Sequence, residues 1–315
     1  MKAIKRVNGF FLVLVVLHIG ASLLVSMLDE EAVKLGTFAS LMLTQLLILV
    51  PSFLFFLLTR YDIFEWIPFR RLNGKTIFLV IVFTFLIMPL ISCVNIFSQL
   101  FTTNTAVEML GELTDMPAII TVLIVGFVGP FCEEFTFRGV IYGGLRQSGY
   151  LFAAAAVTGI YFGLMHLNLN QFSYALVLGL VFSLLNEAAG SIWASIIGHA
   201  VVNTWNVILM LFAEKFYSGM GMDILSEVNG VVGTDEKLAV MGIVLVMAVV
   251  TTALAVGTFV AISESEGRLS VVKSIFKPKH DEETETHRQV ITVSGYIAIA
   301  LCLFVIFLLD RVLGY

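Results

Sequence analysis

The sequence predicts an all-α, polytopic transmembrane helical bundle of about nine spans, with the N-terminus in the cytoplasm and the C-terminus outside. Three observations carry that prediction. The 315 residues are 59% apolar and only 13% charged, with a mean hydropathy of +0.98. A soluble domain is about half apolar and about a quarter charged. Nine apolar stretches recur along the chain, most of them near the roughly 20 residues that a bilayer core requires of a helix. The basic residues are also distributed asymmetrically between those stretches. With the N-terminus inside, fourteen of the 18 Lys and Arg fall in cytoplasmic segments, and only Lys34, Lys215, Lys237 and Arg311 fall outside. The outer segments instead carry Asp29, Glu30, Glu31, Glu108, Glu112 and Asp115, as the positive-inside rule expects.

The first stretch, 9–28, follows Met1-Lys2-Ala3-Ile4-Lys5-Arg6 and so resembles a signal peptide. It is longer than an ordinary signal core and the chain returns repeatedly to the membrane, so it is read as an uncleaved span. Stretches 36–58 and 76–100 follow. The fourth, 118–137, contains two adjacent acids and extends past Arg138 toward Gln147. Stretches 150–167, 171–188 and 191–212 come next, the last two joined only by Ala189-Gly190 in a tight hairpin. Segment 213–237 holds Gly219, Gly221, Gly230 and Gly233 and reads as a flexible loop. Stretches 238–262 and 290–310 flank a polar segment, 263–289. The mixed charge run Lys277–Glu283 within it reads as a solvated or lipid-surface linker, and His280 and His287 belong to that linker. The organisation is therefore 1–116 with three spans, 117–212 as the core that carries the chemistry, and 213–315 with two spans. No internal repeat is present. Cys93, Cys132 and Cys302 are an odd set with no paired spacing, and Cys93 and Cys302 read as small buried residues. No basic stripe with interleaved aromatics exists, which excludes a nucleic-acid surface.

Ionisable residues at membrane depth are costly and usually functional. Glu133 and Glu134 lie in the run Gly129-Pro130-Phe131-Cys132-Glu133-Glu134-Phe135-Thr136-Phe137-Arg138-Gly139. Glu134 and Arg138 are four apart, one turn along a single face, where an ion pair can form. Glu133 points about 100° away, so one carboxylate is tied to arginine and the other is free to face a cavity as a general base. His166 closes Tyr161-Phe162-Gly163-Leu164-Met165-His166. An antiparallel hairpin turning near Gly149 places Glu133 and His166 within a few ångströms of one depth at about 1.5 Å per residue. A carboxylate-to-imidazole contact, direct or through one water, is the expectation. His199 and Asn203 share a face four residues apart and offer hydrogen-bond donors or one metal ligand. His199 counts out one or two turns closer to the cytoplasm than His166, a gap that tilt or a kink would have to close. Each feature also has a plain reading. A lone intramembrane His is often a packing residue, Asn203 could join helices, His18 reads as structural, and Glu187 reads as interfacial. The conjunction within 71 residues favours a site.

These residues resemble the pattern of the CAAX-protease and bacteriocin-processing (Abi) family of intramembrane endopeptidases. The pattern reads here as Glu133-Glu134-x-x-x-Arg138, Phe162-x-x-x-His166 and His199-x-x-x-Asn203, covering roughly 117–206. The resemblance implies an intramembrane protease in which Glu133 activates water, His166 assists, His199 and Asn203 stabilise the oxyanion, and Glu134 and Arg138 brace the site. It further implies a membrane-anchored peptide or protein substrate and a multi-pass location in the cell membrane. No cofactor is certain. Glu133, His166 and His199 could instead hold a zinc ion, though no dense ligand motif is present. A non-catalytic scaffold or self-immunity protein is the alternative. A proton-coupled transporter is disfavoured because inverted repeats with broken helices are absent.

Overall fold

Nine long helices account for the nine apolar stretches in a computed structural model that describes residues 1–27, 36–102, 113, 116–220, 234–277 and 289–313. They are α1 (Lys2–Met27), α2 (Thr37–Thr59), α3 (Gly74–Ser98), α4 (Ala118–Ser148), α5 (Leu151–Leu164), α6 (Leu169–Ala189), α7 (Trp193–Gly219), α8 (Thr234–Ser265) and α9 (Val293–Leu313). No strand occurs among the described residues. An all-helical membrane chain is what the physics demands, because every backbone N–H and C=O must be satisfied without water. The acidic outer residues, most of the loop at 213–237, most of the Lys277–Glu283 run, and His280 and His287 lie outside the described residues.

By length and composition, seven helices are long and apolar enough to cross a membrane, and α5 and the stretch Val293–Leu309 of α9 are shorter apolar helices among the described residues. Seven of the nine expected spans thus meet that length among the described residues. The 14 residues of α5 rise only about 21 Å, short of a core about 30 Å thick. α5 ends early because Leu167 takes a left-handed φ of 51°. Asn168 then caps α6, its Oδ1 accepting from the Gln171 N–H at 3.0 Å. His166 accordingly sits at a helix end next to a turn.

α4 is not a uniform helix. Wide π turns at Ile124–Val128 and Phe135–Tyr142 bracket an α-helical stretch, Gly129–Glu134, that carries both acids. Each wide turn offers a carbonyl to a side chain from elsewhere. Val125 O accepts from Asn203 Nδ2 at 3.0 Å, and Val140 O accepts from Trp66 Nε1 at 3.1 Å. Such bulges concentrate at functional sites.

α5 and α6 pack backbone to backbone. A Cβ built on Gly159 would lie 2.6 Å from Leu176 O and 2.9 Å from Leu180 N, and one built on Gly179 would lie 2.5 Å from Gly159 Cα. Close approach of this kind is what small residues permit in membranes. Gly159→Ala is therefore expected to force α5 and α6 apart and to cost about 1–3 kcal/mol, as overpacking does. Equilibrium unfolding in mixed micelles checks this; an unchanged midpoint would refute it.

α1 is fastened across the bundle. Phe11 stacks on Tyr161 with centroids 3.9 Å apart, and the Tyr161 hydroxyl donates to Asn8 Oδ1 at 2.5 Å. The N-terminal half of α1 also meets α4, since a Cβ on Gly144 would clash with Val7.

The α6–α7 turn is buried. Gly190 supplies a left-handed φ of 68°, Ile192 N–H donates to Pro68 O at 3.0 Å, and Ser191 Oγ donates to Arg70 O at 2.5 Å. Glu187 lies just before it and is 2% exposed. Its carboxylate pairs with Arg146 at 2.8 Å and with Arg268 at 3.3 Å, so the interfacial reading of Glu187 is corrected. Two arginines compensate a charge that would otherwise be too costly to bury. Arg268 belongs to the polar segment 263–289, and its Nε donates to Glu187 O at 2.7 Å. The part of that segment up to Ser274 is folded, including the short helix Leu269–Ser274.

Candidate active site

Glu134 is the hub of the polar cluster. Its side chain is fully buried, and Oε1 lies 2.8 Å from Arg138 Nη1 and 2.8 Å from His199 Nδ1. The i,i+4 spacing brings the arginine, and α7 packing against α4 brings the histidine. Arg138 Nη2 donates to Leu178 O of α6 at 3.2 Å. The Arg138 guanidinium lies over Phe162 at 4.4 Å and near Phe182 at 5.8 Å, so aromatic faces complete its neutralisation.

Because a carboxylate only accepts, His199 Nδ1 must donate to Glu134. That leaves His199 Nε2 facing Glu133, 3.7 Å from its Oε2. The separation exceeds hydrogen-bond length but allows one water to touch both groups. Glu133 keeps 22% of its side-chain surface, whereas Glu134 keeps none. The two acids occupy different environments despite being neighbours in sequence.

Phe162 is the mechanical centre. Its ring meets Phe137 at 5.0 Å, His166 at 5.1 Å and His199 at 5.9 Å. The two imidazole centroids are therefore at most about 11 Å apart, the two ring separations laid end to end. His166 Nδ1 donates to Phe162 O at 2.9 Å, which leaves its Nε2 as a free acceptor. No hydrogen bond joins His166 to Glu133 among the described residues. The imidazole that faces Glu133 at close range is His199; of the two forms expected for the Glu133–His166 contact, the direct one is not made. Both imidazoles meet the Phe162 ring despite the depth difference counted from Gly190. Asn203 lies one turn beyond His199 with Nδ2 held by Val125 O; its amide is oriented by the first wide turn of α4.

Sequence reasoning assigned Glu134 to Arg138 alone and missed its grip on His199. The carboxylate has acceptor capacity beyond one arginine, which was the available signal. Among the described residues no three His, Cys, Asp or Glu side chains come together to hold a metal. His199 Nδ1 and His166 Nδ1 are held by Glu134 and by Phe162 O, the arrangement that would leave each Nε2 for a ligand. A cavity of about 80 Å³ adjoins the cluster, with Arg138, Tyr142, Asn186, Glu187 and Arg268 among its walls.

The fold and this cluster define a multi-pass membrane protein with two carboxylates and an imidazole gathered inside the bundle. Residues 115–205 match the family described as Type II CAAX prenyl endopeptidase Rce1-like. It is also 30% identical over 96 residues to the protein named "Putative membrane peptidase YdiL" of Bacillus subtilis (strain 168), a match spanning 30% of this chain and 39% of that relative. The chain thus matches about two fifths of the relative's length. No solved structure matches.

Proposed function

We propose that the chain is an intramembrane endopeptidase that hydrolyses a peptide bond of a membrane-associated polypeptide with a glutamate-activated water. The observation that carries this reading is Glu133 facing the free edge of an imidazole whose other edge is fixed by Glu134. Glu133 takes a proton from water as the water oxygen attacks the peptide carbonyl carbon. For His199 to stabilise the resulting oxyanion it must carry protons on both nitrogens, and the Glu134 carboxylate balances that charge. The second amide hydrogen of Asn203 is the other donor. Collapse breaks the C–N bond and the proton on Glu133 passes to the leaving amine. His166 Nε2 offers a further acceptor for water. The cavity beside Arg138 is large enough for water, and it lies at the end of the bundle that holds Glu187, the cytoplasmic end in this reading.

The test is cleavage of a library of membrane-anchored peptides by the purified protein in lipid nanodiscs, with products mapped by mass spectrometry. His199→Ala is expected to lower the rate about 10²–10³-fold, as loss of an oxyanion donor does. Chelators are expected to leave the rate unchanged. Loss on chelation with recovery on adding zinc would overturn the scheme, as would equal product from the wild-type and His199→Ala proteins.

A further inference from the structure

Asn186 of α6 holds both ends of the α6–α7 turn. Its main-chain O accepts the Gly190 N–H at 2.7 Å and closes α6. Its side chain opens α7: Oδ1 accepts the Ser195 N–H at 3.0 Å, and Nδ2 donates to Ser195 Oγ at 2.8 Å. The Ser195 hydroxyl donates to Ile192 O at 3.1 Å, so its lone pairs are left for the amide. Ile192, just before α7, makes no side-chain cap, and the first N–H groups of a helix need partners from outside it. Asn186 supplies from the preceding helix the acceptor that the N-cap residue lacks.

The next rung of the same helix pair carries the site. Four residues back along α6 is Phe182, four residues on along α7 is His199, and their rings meet at 5.8 Å. Gly198 lets the helices close there, since a Cβ built on it would lie 3.1 Å from Phe182 Cε1. Residues four apart share a helical face, so the Asn186–Ser195 pair and the Phe182–His199 contact lie along one seam. Asn186 is 7% exposed and Ser195 0%, so neither is placed to touch a substrate.

We propose that Asn186 is a positioning residue for His199. By fixing the rotation and register of α7 against α6, its reciprocal pair with Ser195 delivers His199 Nδ1 to Glu134 and turns Nε2 toward Glu133. The inference rests on the peptidase reading, and it gives a task to a residue outside the Glu133–Arg138, Phe162–His166 and His199–Asn203 motifs. Without the amide, α7 stays packed but turns slightly, and His199 is carried off Glu134.

The experiment follows the imidazole N–H resonances of the isotope-labelled chain in nanodiscs. Two Nδ1–H groups report, that of His199 on Glu134 and that of His166 on Phe162 O. Asn186→Ala is expected to shift or abolish the first and to leave the second, whose acceptor belongs to α5. On the membrane-anchored peptide that the wild-type protein cleaves fastest, kcat is expected to fall about 10²-fold with KM little changed, the scale of a misplacement of about 1 Å. Ser195→Ala keeps the N–H but loses the hydroxyl, so it moves the same resonance less. Adding it to Asn186→Ala costs little more, because the two side chains act as a pair. If Asn186→Ala does not fold, the His199 resonance in Ser195→Ala decides. A His199 resonance unmoved in every variant that folds would overturn the proposal. So would both imidazole resonances moving together, as general loosening would move them, or a raised KM with kcat intact. Failure of the peptidase reading would appear differently, as no cleavage by the wild-type protein while the resonances still respond.

Discussion

Glu133→Gln is expected to lower the cleavage rate by about 10²–10⁴-fold, the range that a positioned general base contributes, with little change in stability. Glutamine preserves the shape of the side chain and most of its packing but cannot take a proton from water. Glu133 is partly open to its surroundings and 3.7 Å from the nearest imidazole nitrogen, so no tight ion pair is lost. Single-turnover cleavage and a thermal melt of the same preparation separate the two effects. A rate within about threefold of wild type, well short of what a general base contributes, would remove Glu133 from the chemistry. A rate that falls together with the melting temperature would make it a structural acid instead.

Arg138→Met is expected to be the most destabilising single change at the site, by about 3–5 kcal/mol, because it leaves the Glu134 carboxylate buried without its cation. Arg138 and Glu134 each retain 0% of their side-chain surface, so water cannot compensate. Replacing both members, as Glu134→Leu with Arg138→Met, is expected to restore most of the stability, since swapping a whole buried pair for apolar residues is often neutral. Activity should not return, because His199 Nδ1 would have lost its acceptor. Unfolding free energy and cleavage rate, measured on the two singles and the double, test this. A double variant as active as wild type would show that Glu134 does not position His199.

The helices were legible in the sequence because a membrane allows little else, and the nine apolar stretches coincide with nine helices among the described residues. The length of α5 was not, because nothing in an apolar run marks Leu167 as the residue that turns left-handed. The Glu134–Arg138 pair follows from spacing alone. The grip of Glu134 on His199 depends on how α7 packs against α4, and the turn that starts α7 is held by Pro68 O and Arg70 O, more than a hundred residues earlier. Phe162 as the ring shared by two histidines and an arginine is likewise a consequence of packing and not of periodicity.

The two wide turns of α4 mean that its outline cannot be drawn on a single helical wheel. Residues before Ile124, between Gly129 and Glu134, and after Tyr142 belong to three angular phases. The direction in which the acids point is therefore an offset between two slips along one rod, each pinned by a foreign donor, Asn203 at one and Trp66 at the other. Aim at the centre of this bundle is held from its flanks, by an amide and an indole that never touch the carboxylates they steer.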